Sequence, residues 1–147
     1  MARGTISLVG VKELIAKLDS FTPERSRAIF RKALREAARP IQAEAKRLAP
    51  RGKTGQLQRS IKIRAGKRRA AGVSMLVQTA AGDFKGKTFY GAFLEYGTKE
   101  RTTKRGKNLG RVKAVEFMKQ AFDNRKSEAE AIVETELTQG IVQELAR

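Results

Sequence analysis

The chain of 147 residues sets 32 Lys and Arg against 15 Asp and Glu, a formal net charge of +17, and contains neither histidine nor cysteine. Disulfides, thiolate metal sites and cysteine nucleophiles are therefore excluded, as are the commonest general base and the commonest zinc ligand. A hydrophobic fraction of 40% supports a folded core, and the length fits one domain, residues 1–147.

The charge is uneven. Residues 123–147 hold six acids and three bases, a net of −3, which leaves +20 on residues 1–122. A chain this basic repels itself unless an anionic partner is near, such as nucleic acid, an acidic protein surface or an anionic membrane. No apolar run approaches the ~20 residues that span a bilayer. The apolar stretch at residues 6–11 meets Lys12 and Glu13 too early for a signal peptide. The simplest expectation is a soluble protein made inside the cell, with no membrane partner.

Thr5, Ile6, Ser7 and Leu8 alternate as a short strand would, and Val11, Leu14, Ile15 and Leu18 follow with helical spacing. The strongest helical pattern covers residues 22–49. Thr22 is placed to cap it, Pro23 suits the first helical position, and Phe30, Leu34, Ala37, Ile41, Ala45 and Leu48 step by four and three along one face. Pro40 lies inside and predicts a kink, and Pro50 and Gly52 end the helix.

Residues 46–69 contain ten bases and no acid. Within them Thr54-Gly55 marks a turn, and residues 56–60 form a short helical or extended piece. Ile61, Ile63 and Ala65, then Val73, Met75 and Val77, alternate with their neighbours and predict a β-hairpin joined by residues 66–72. Residues 81–88 read as a loop. Tyr90, Phe93 and Leu94 predict one or two helical turns ending at Gly97.

Residues 98–111 carry six bases, one acid and two glycines with almost no apolar content, the composition of a mobile loop. Residues 112–117 read as a returning strand. From Phe117 onward Ala129, Val133, Leu137, Ile141 and Leu145 recur every fourth residue, and Gly140 costs that helix roughly 1 kcal/mol relative to Ala. The segregation of strands and helices predicts an α+β fold, with a small antiparallel β-sheet packed against two long α-helices and a long basic loop.

Catalytic chemistry finds little support. Asp83 and Glu95 come nearest to a nuclease carboxylate pair, but Gly97 stands where such a site needs lysine. No phosphate-binding glycine pattern is present, and Ser60 and Ser74 lack a histidine to activate them. No metal and no cofactor are expected.

The basic residues Arg51, Lys53, Lys67, Arg68, Arg69, Lys99, Arg101, Lys104, Arg105, Lys107 and Arg111 suit phosphate contacts or the acidic face of a neighbouring subunit. Few aromatic residues are interleaved with them, which disfavours a base-stacking platform. The acidic C-terminal helix against an otherwise basic chain suits head-to-tail association of identical subunits. Glu128, Glu130 and Glu134 are its interface candidates. Glu95, read as pointing outward, is another, as a holder of basic residues from the 98–111 loop or a neighbour.

Three segments together carry a resemblance. The first is Ala45-Lys46-Arg47-Leu48-Ala49-Pro50 followed, after a gap, by Thr54-Gly55-Gln56-Leu57-Gln58-Arg59-Ser60-Ile61. The second is Tyr90-Gly91-Ala92-Phe93-Leu94-Glu95-Tyr96-Gly97-Thr98. The third is Glu116-Phe117-Met118-Lys119-Gln120-Ala121-Phe122. In this order and spacing the chain resembles the tailed-phage minor-tail or tail-completion family, which includes lambda protein Z-like neck components.

The resemblance implies a non-enzymatic virion protein at the head–tail junction, forming a ring around the DNA channel. It also implies a hexamer, flanked by neck and tail-tube or terminator proteins, with the packaged DNA as a candidate partner and synthesis in the host cytoplasm. The family's third motif usually places proline where Glu116 and Gln120 stand here, which predicts a last helix that begins earlier or runs straighter. The competing reading is a monomeric basic nucleic-acid-binding module; a metal-dependent nuclease is disfavoured by its missing ligands.

Overall fold

The computed structural model describes residues 12–67, 72–79 and 90–146. In chain order these form α1 (Lys12–Asp19), α2 (Pro23–Leu48), α3 (Gln56–Ser60), β1 (Ile61–Ala65), β2 (Met75–Thr79), α4 (Gly91–Tyr96) and α5 (Phe117–Leu145). The fold is α+β, two long helices packed with one antiparallel hairpin. The strand expected at residues 5–8, the loop expected at residues 81–88 and Asp83 lie outside the described residues.

Thr22 occupies the cap position of α2 but makes no side-chain cap bond, and Pro23 sits in the first turn as expected. The helix continues through Pro40 to Leu48. Ala49, which precedes Pro50, leaves the helix in an extended conformation because proline disfavours helical backbone in the residue before it. Of the α2 stripe, Ala37, Ile41 and Ala45 are buried, whereas Phe30, Leu34 and Leu48 are half-buried at its margin.

α5 lies antiparallel to α2. Ion pairs join Arg25 to Glu144 (2.6 Å) and Lys32 to Glu136 (3.0 Å), so position falls along one helix as it rises along the other. Gly140 belongs to this seam. A Cβ there would meet Ile29 Cγ2 at 2.6 Å, so the glycine permits a close helix approach that any larger residue would open. Its cost in helix propensity is offset by that packing.

Two apolar clusters form along the seam. One joins Leu18, Ala33, Ala37 and Ile41 to Ala129, Val133, Leu137 and Ile141; the other joins Ala45, Ala49, Leu57 and Ile61 to Phe117 and Ala121. A stripe that repeats every fourth residue drifts around a 3.6-residue helix. α5 thus presents its two ends to different neighbours. Leu145 continues the fourth-residue spacing but is exposed, which corrects its place in the expected core stripe.

The hairpin pairs Ile61 with Thr79 and Ala65 with Met75, and Gln42 Nε2 of α2 donates to the Ile61 carbonyl at 2.8 Å. The strand expected at residues 112–117 is not formed. Instead Val112 is held by Thr98, and the Val115 amide donates to the Leu94 carbonyl at 2.6 Å. The segment read as a loop is an internally bonded arm. The Leu109 amide donates to the Arg101 carbonyl, the Arg101 amide to the Gly110 carbonyl and the Thr103 amide to the Lys107 carbonyl, and Thr102 bridges Asn108 in antiparallel fashion. Positive φ at Gly106 and Gly110 shapes its turns.

Candidate functional site

The three motif segments, distant in sequence, converge on the second apolar cluster. Ala45 and Ala49 come from the end of α2, Leu57 and Ile61 from α3 and β1, Leu94 from α4 with Tyr90 just before it, and Phe117 and Ala121 from the start of α5. Polar side chains close the helix ends around this node. Gln58 Nε2 donates to the carbonyls of Lys46 (3.0 Å) and Ala49 (3.3 Å), which the end of α2 would otherwise leave open.

Glu95 does the equivalent work for α5. Only 5% exposed, it accepts hydrogen bonds from the Met118 amide (2.9 Å) and the Lys119 amide (3.1 Å). A carboxylate there also meets the positive end of the α5 dipole. This corrects the outward orientation expected for Glu95: its carboxylate is engaged by α5 of its own chain. The signal was its place two residues before a glycine cap and twenty-odd residues before an amphipathic helix without its own capping side chain. Spacing alone could not join the two.

α5 begins at Phe117, not earlier, and Glu116 before it has φ 51°, a left-handed backbone that proline cannot adopt. The departure from the family's usual proline therefore has a local structural counterpart. Gly97 ends α4 with φ 72°, and a Cβ there would lie 2.9 Å from the Val112 carbonyl oxygen. Glycine thus joins the node to the base of the arm.

Between the two apolar clusters sits a polar network missed by the sequence reading. Glu44 follows Ile41 and precedes Ala45 on α2, and is 5% exposed. Its carboxylate accepts from Arg47 at 3.0 and 2.6 Å and from Asn124 Nδ2 at 3.2 Å, with Arg125 at 3.5 Å. The Arg47 hydrogen bonds, followed by those of Asn124 and the charge of Arg125, outweigh burial and hold its pKa down to about 2. Arg47 and Arg125 are shifted upward in return, chiefly by their hydrogen bonds to Glu44 and Glu128 respectively. Arg47 is an i+3 neighbour on α2, but Asn124 and Arg125 come from α5 some eighty residues away, so local spacing does not mark the network as a whole.

The other charged candidates divide sharply. Glu128 pairs with Arg125 at 2.8 Å, and Glu130 lies 3.9 Å from Lys126, both on their own helix. Glu134 is exposed and has no salt bridge among the described residues. Arg51, Lys53, Lys67, Lys99, Arg101, Lys104, Arg105, Lys107 and Arg111 are all exposed, and none forms a salt bridge among the described residues. Arg68 and Arg69 lie outside the described residues.

Six of these cations line the arm, and Lys99, Arg111 and Lys113 border an open hollow of about 700 Å³ with Tyr96 and Glu100. Among the described residues no three acidic side chains gather as a metal site, and no helix is long and apolar enough to cross a membrane.

The geometry thus defines an α+β node with a buried helix cap and an exposed basic arm. The chain belongs to the HK97-gp10-like family, described as "Bacteriophage HK97-gp10, putative tail-component", whose family model matches residues 12–97. The match runs from α1 to the Gly97 cap; the arm and α5 lie beyond it. No curated protein and no solved structure matches the chain.

Proposed function

We propose that this phage tail component is a non-enzymatic structural subunit. It forms a ring, hexameric to match the tail, at the head–tail junction around the DNA channel, after synthesis in the host cytoplasm. The carrying observation is the partition of charge. The acids of the α2–α5 seam are bound within the chain, while the cations of the arm and of the α2–α3 connection stand exposed without salt bridges among the described residues. Such a subunit presents positive charge to whatever lies outside it, either a neighbouring subunit or the phosphates of DNA in the channel. Neck and tail-tube or terminator proteins would contact the ring above and below.

Electron microscopy of virions carrying an epitope on the chain tests this reading, with label expected as a ring at the head-proximal end of the tail. Label absent from virions, or spread along the tail, overturns it. The exposed cations also favour a second reading as a monomeric nucleic-acid-binding module. That reading requires salt-steep DNA binding by a chain that never enters the particle.

A further inference from the structure

The outer face of α5 and the arm are complementary, and geometry forbids them to meet within one chain. Ala131, Thr135, Thr138, Val142 and Leu145 recur at steps of four and three along the side of α5 turned away from α2, and all are exposed. Val142 and Leu145 are 60% and 64% exposed. From Ser127 to Ala146 the sequence holds five glutamates and no Lys or Arg. Glu136 and Glu144 turn to α2, whereas Glu134 remains on the open side.

The arm offers the converse. Leu109, 55% exposed, is its large apolar side chain, and Lys104, Arg105 and Lys107 surround the turn beyond it.

The arm leaves the body near the start of α5, where Val112 and Val115 are fastened to Thr98 and Leu94. Val142 is 25 residues past Phe117, ~37 Å along the helix at 1.5 Å per residue. The arm is five to six residues long on each leg, ~17–20 Å at the rise of an extended chain. It cannot reach Val142 of its own chain.

It fits another copy, however. Glu134 lies eight residues from Val142, ~12 Å along the helix. Lys107 lies two residues from Leu109, ~7 Å along its leg, and Lys104 and Arg105 stand in the Thr103–Gly106 turn just beyond it, from which their long side chains reach further.

We propose that the arm of one copy lies along the outer face of α5 of a second copy, with Leu109 on Val142 and Leu145, and the cations at its turn on Glu134. This rests on the self-assembling reading above and names its contact. The contact joins unlike surfaces, so repetition gives a closed ring or an open filament rather than a two-fold dimer. The apolar contact supplies affinity, and the charges supply register and rate.

The absence of cysteine makes disulfide trapping clean. Chains carrying Leu109→Cys and differently tagged chains carrying Val142→Cys are mixed and oxidised, and both substitutions are also combined in one chain expressed during phage assembly. In the mixture, heterodimers that link position 109 of one chain to position 142 of the other should make up nearly all dimers, against the half expected from random pairing. The excess should shrink in high salt and with Glu134→Lys. In assembled particles the double variant should give a disulfide ladder. A control with Ala43→Cys on the exposed side of α2 should show no excess.

Random pairing in the mixture together with no ladder in particles overturns the proposal, as does equal trapping with the Ala43→Cys control. Trapping without virion incorporation would break the ring reading alone. Virion incorporation without trapping would break this contact alone.

Discussion

Along the seam between α2 and α5, acids and bases of one chain are spent on each other. Arg25 meets Glu144, Lys32 meets Glu136, and Glu44 is enclosed by Arg47, Asn124 and Arg125. In the arm, Lys99, Arg101, Lys104, Arg105, Lys107 and Arg111 stand exposed on a hairpin held only by its backbone and a few hydroxyl and amide contacts. Both regions are rich in charge. What separates them is whether an apolar surface lies beside the charge. Where Ile41, Ala45 and Ala121 exclude water, a carboxylate must find partners in the chain, since an unpaired buried charge is costly. In the arm, where no packed apolar surface shuts out water, the cations stay solvated and remain available to another molecule.

The sharpest way to break this comparison is at the buried cap. Replacing Glu95 with Ala leaves the Met118 and Lys119 amides without their acceptors at a part-buried helix start. Loss of charged hydrogen bonds of this kind costs about 1–3 kcal/mol. Glu95→Gln, which keeps one acceptor oxygen, should lose less. Urea denaturation of both variants measures the difference. If Glu95→Ala loses less than ~0.5 kcal/mol, in the range of an ordinary surface change, the carboxylate is not what fastens α4 to α5.

A smaller effect should appear as a pH dependence from Glu44. Its pKa in the folded chain lies at about 2, below the ordinary 4.5, chiefly through the Arg47 hydrogen bonds. A depressed folded-state pKa adds stability that is fully present above the unfolded value and is lost as the carboxylate protonates. The chain should therefore lose stability progressively as pH falls from about 4.5 to about 2. Glu44→Gln should be less stable than the parent at pH 7 and show a flatter decline over that window. Denaturation midpoints at intervals between pH 7 and pH 2 test it. Parallel profiles for parent and variant would show that the network contributes no pH-dependent stability.

The elements that local pattern determines were legible in the sequence: the long helix between Thr22 and Pro50, the hairpin, the short helix ended by Gly97 and the helix from Phe117. Each is marked by periodicity, and the helices ending before Pro50 and at Gly97 also by Pro or Gly at a terminus, signals that act over a few residues. The packing of those elements was less legible. Leu145 fits the fourth-residue spacing of α5 yet is exposed, because that spacing drifts around the helix beyond the reach of α2. Glu95 looked outward because its partners are amides more than twenty residues away, and what encloses Glu44 beyond its helical neighbour Arg47 comes from α5 some eighty residues on. Gly140 read as a cost until Ile29 was placed against it. Of the candidate site, the exposed cations were visible as composition. Their separation from the acids of the seam required the antiparallel register of α2 and α5.

The smallest effect on the fold should come from the arm, and its smallness is the point. Lys104 and Arg105 lie within the Thr103–Gly106 turn, Lys107 follows it, and none has an ion pair among the described residues, so replacing all three with Ala removes no side-chain salt bridge of the folded chain. Like-charge repulsion within the turn is relieved at the same time, and exposed charges contribute little at physiological salt. Stability should stay within ~0.5 kcal/mol of the parent, the usual range for surface changes away from special backbone positions. The variant should nevertheless lose incorporation into phage particles, since those cations face outward and serve no partner inside the chain. Paired measurements of denaturation midpoint and particle incorporation decide the matter. A fall in stability above ~1 kcal/mol, beyond that surface range, would make the arm part of the fold, and its charge would then be internal, like that of the seam. Unchanged incorporation would leave the arm's positive charge without the external partner on which the contrast between the two regions depends.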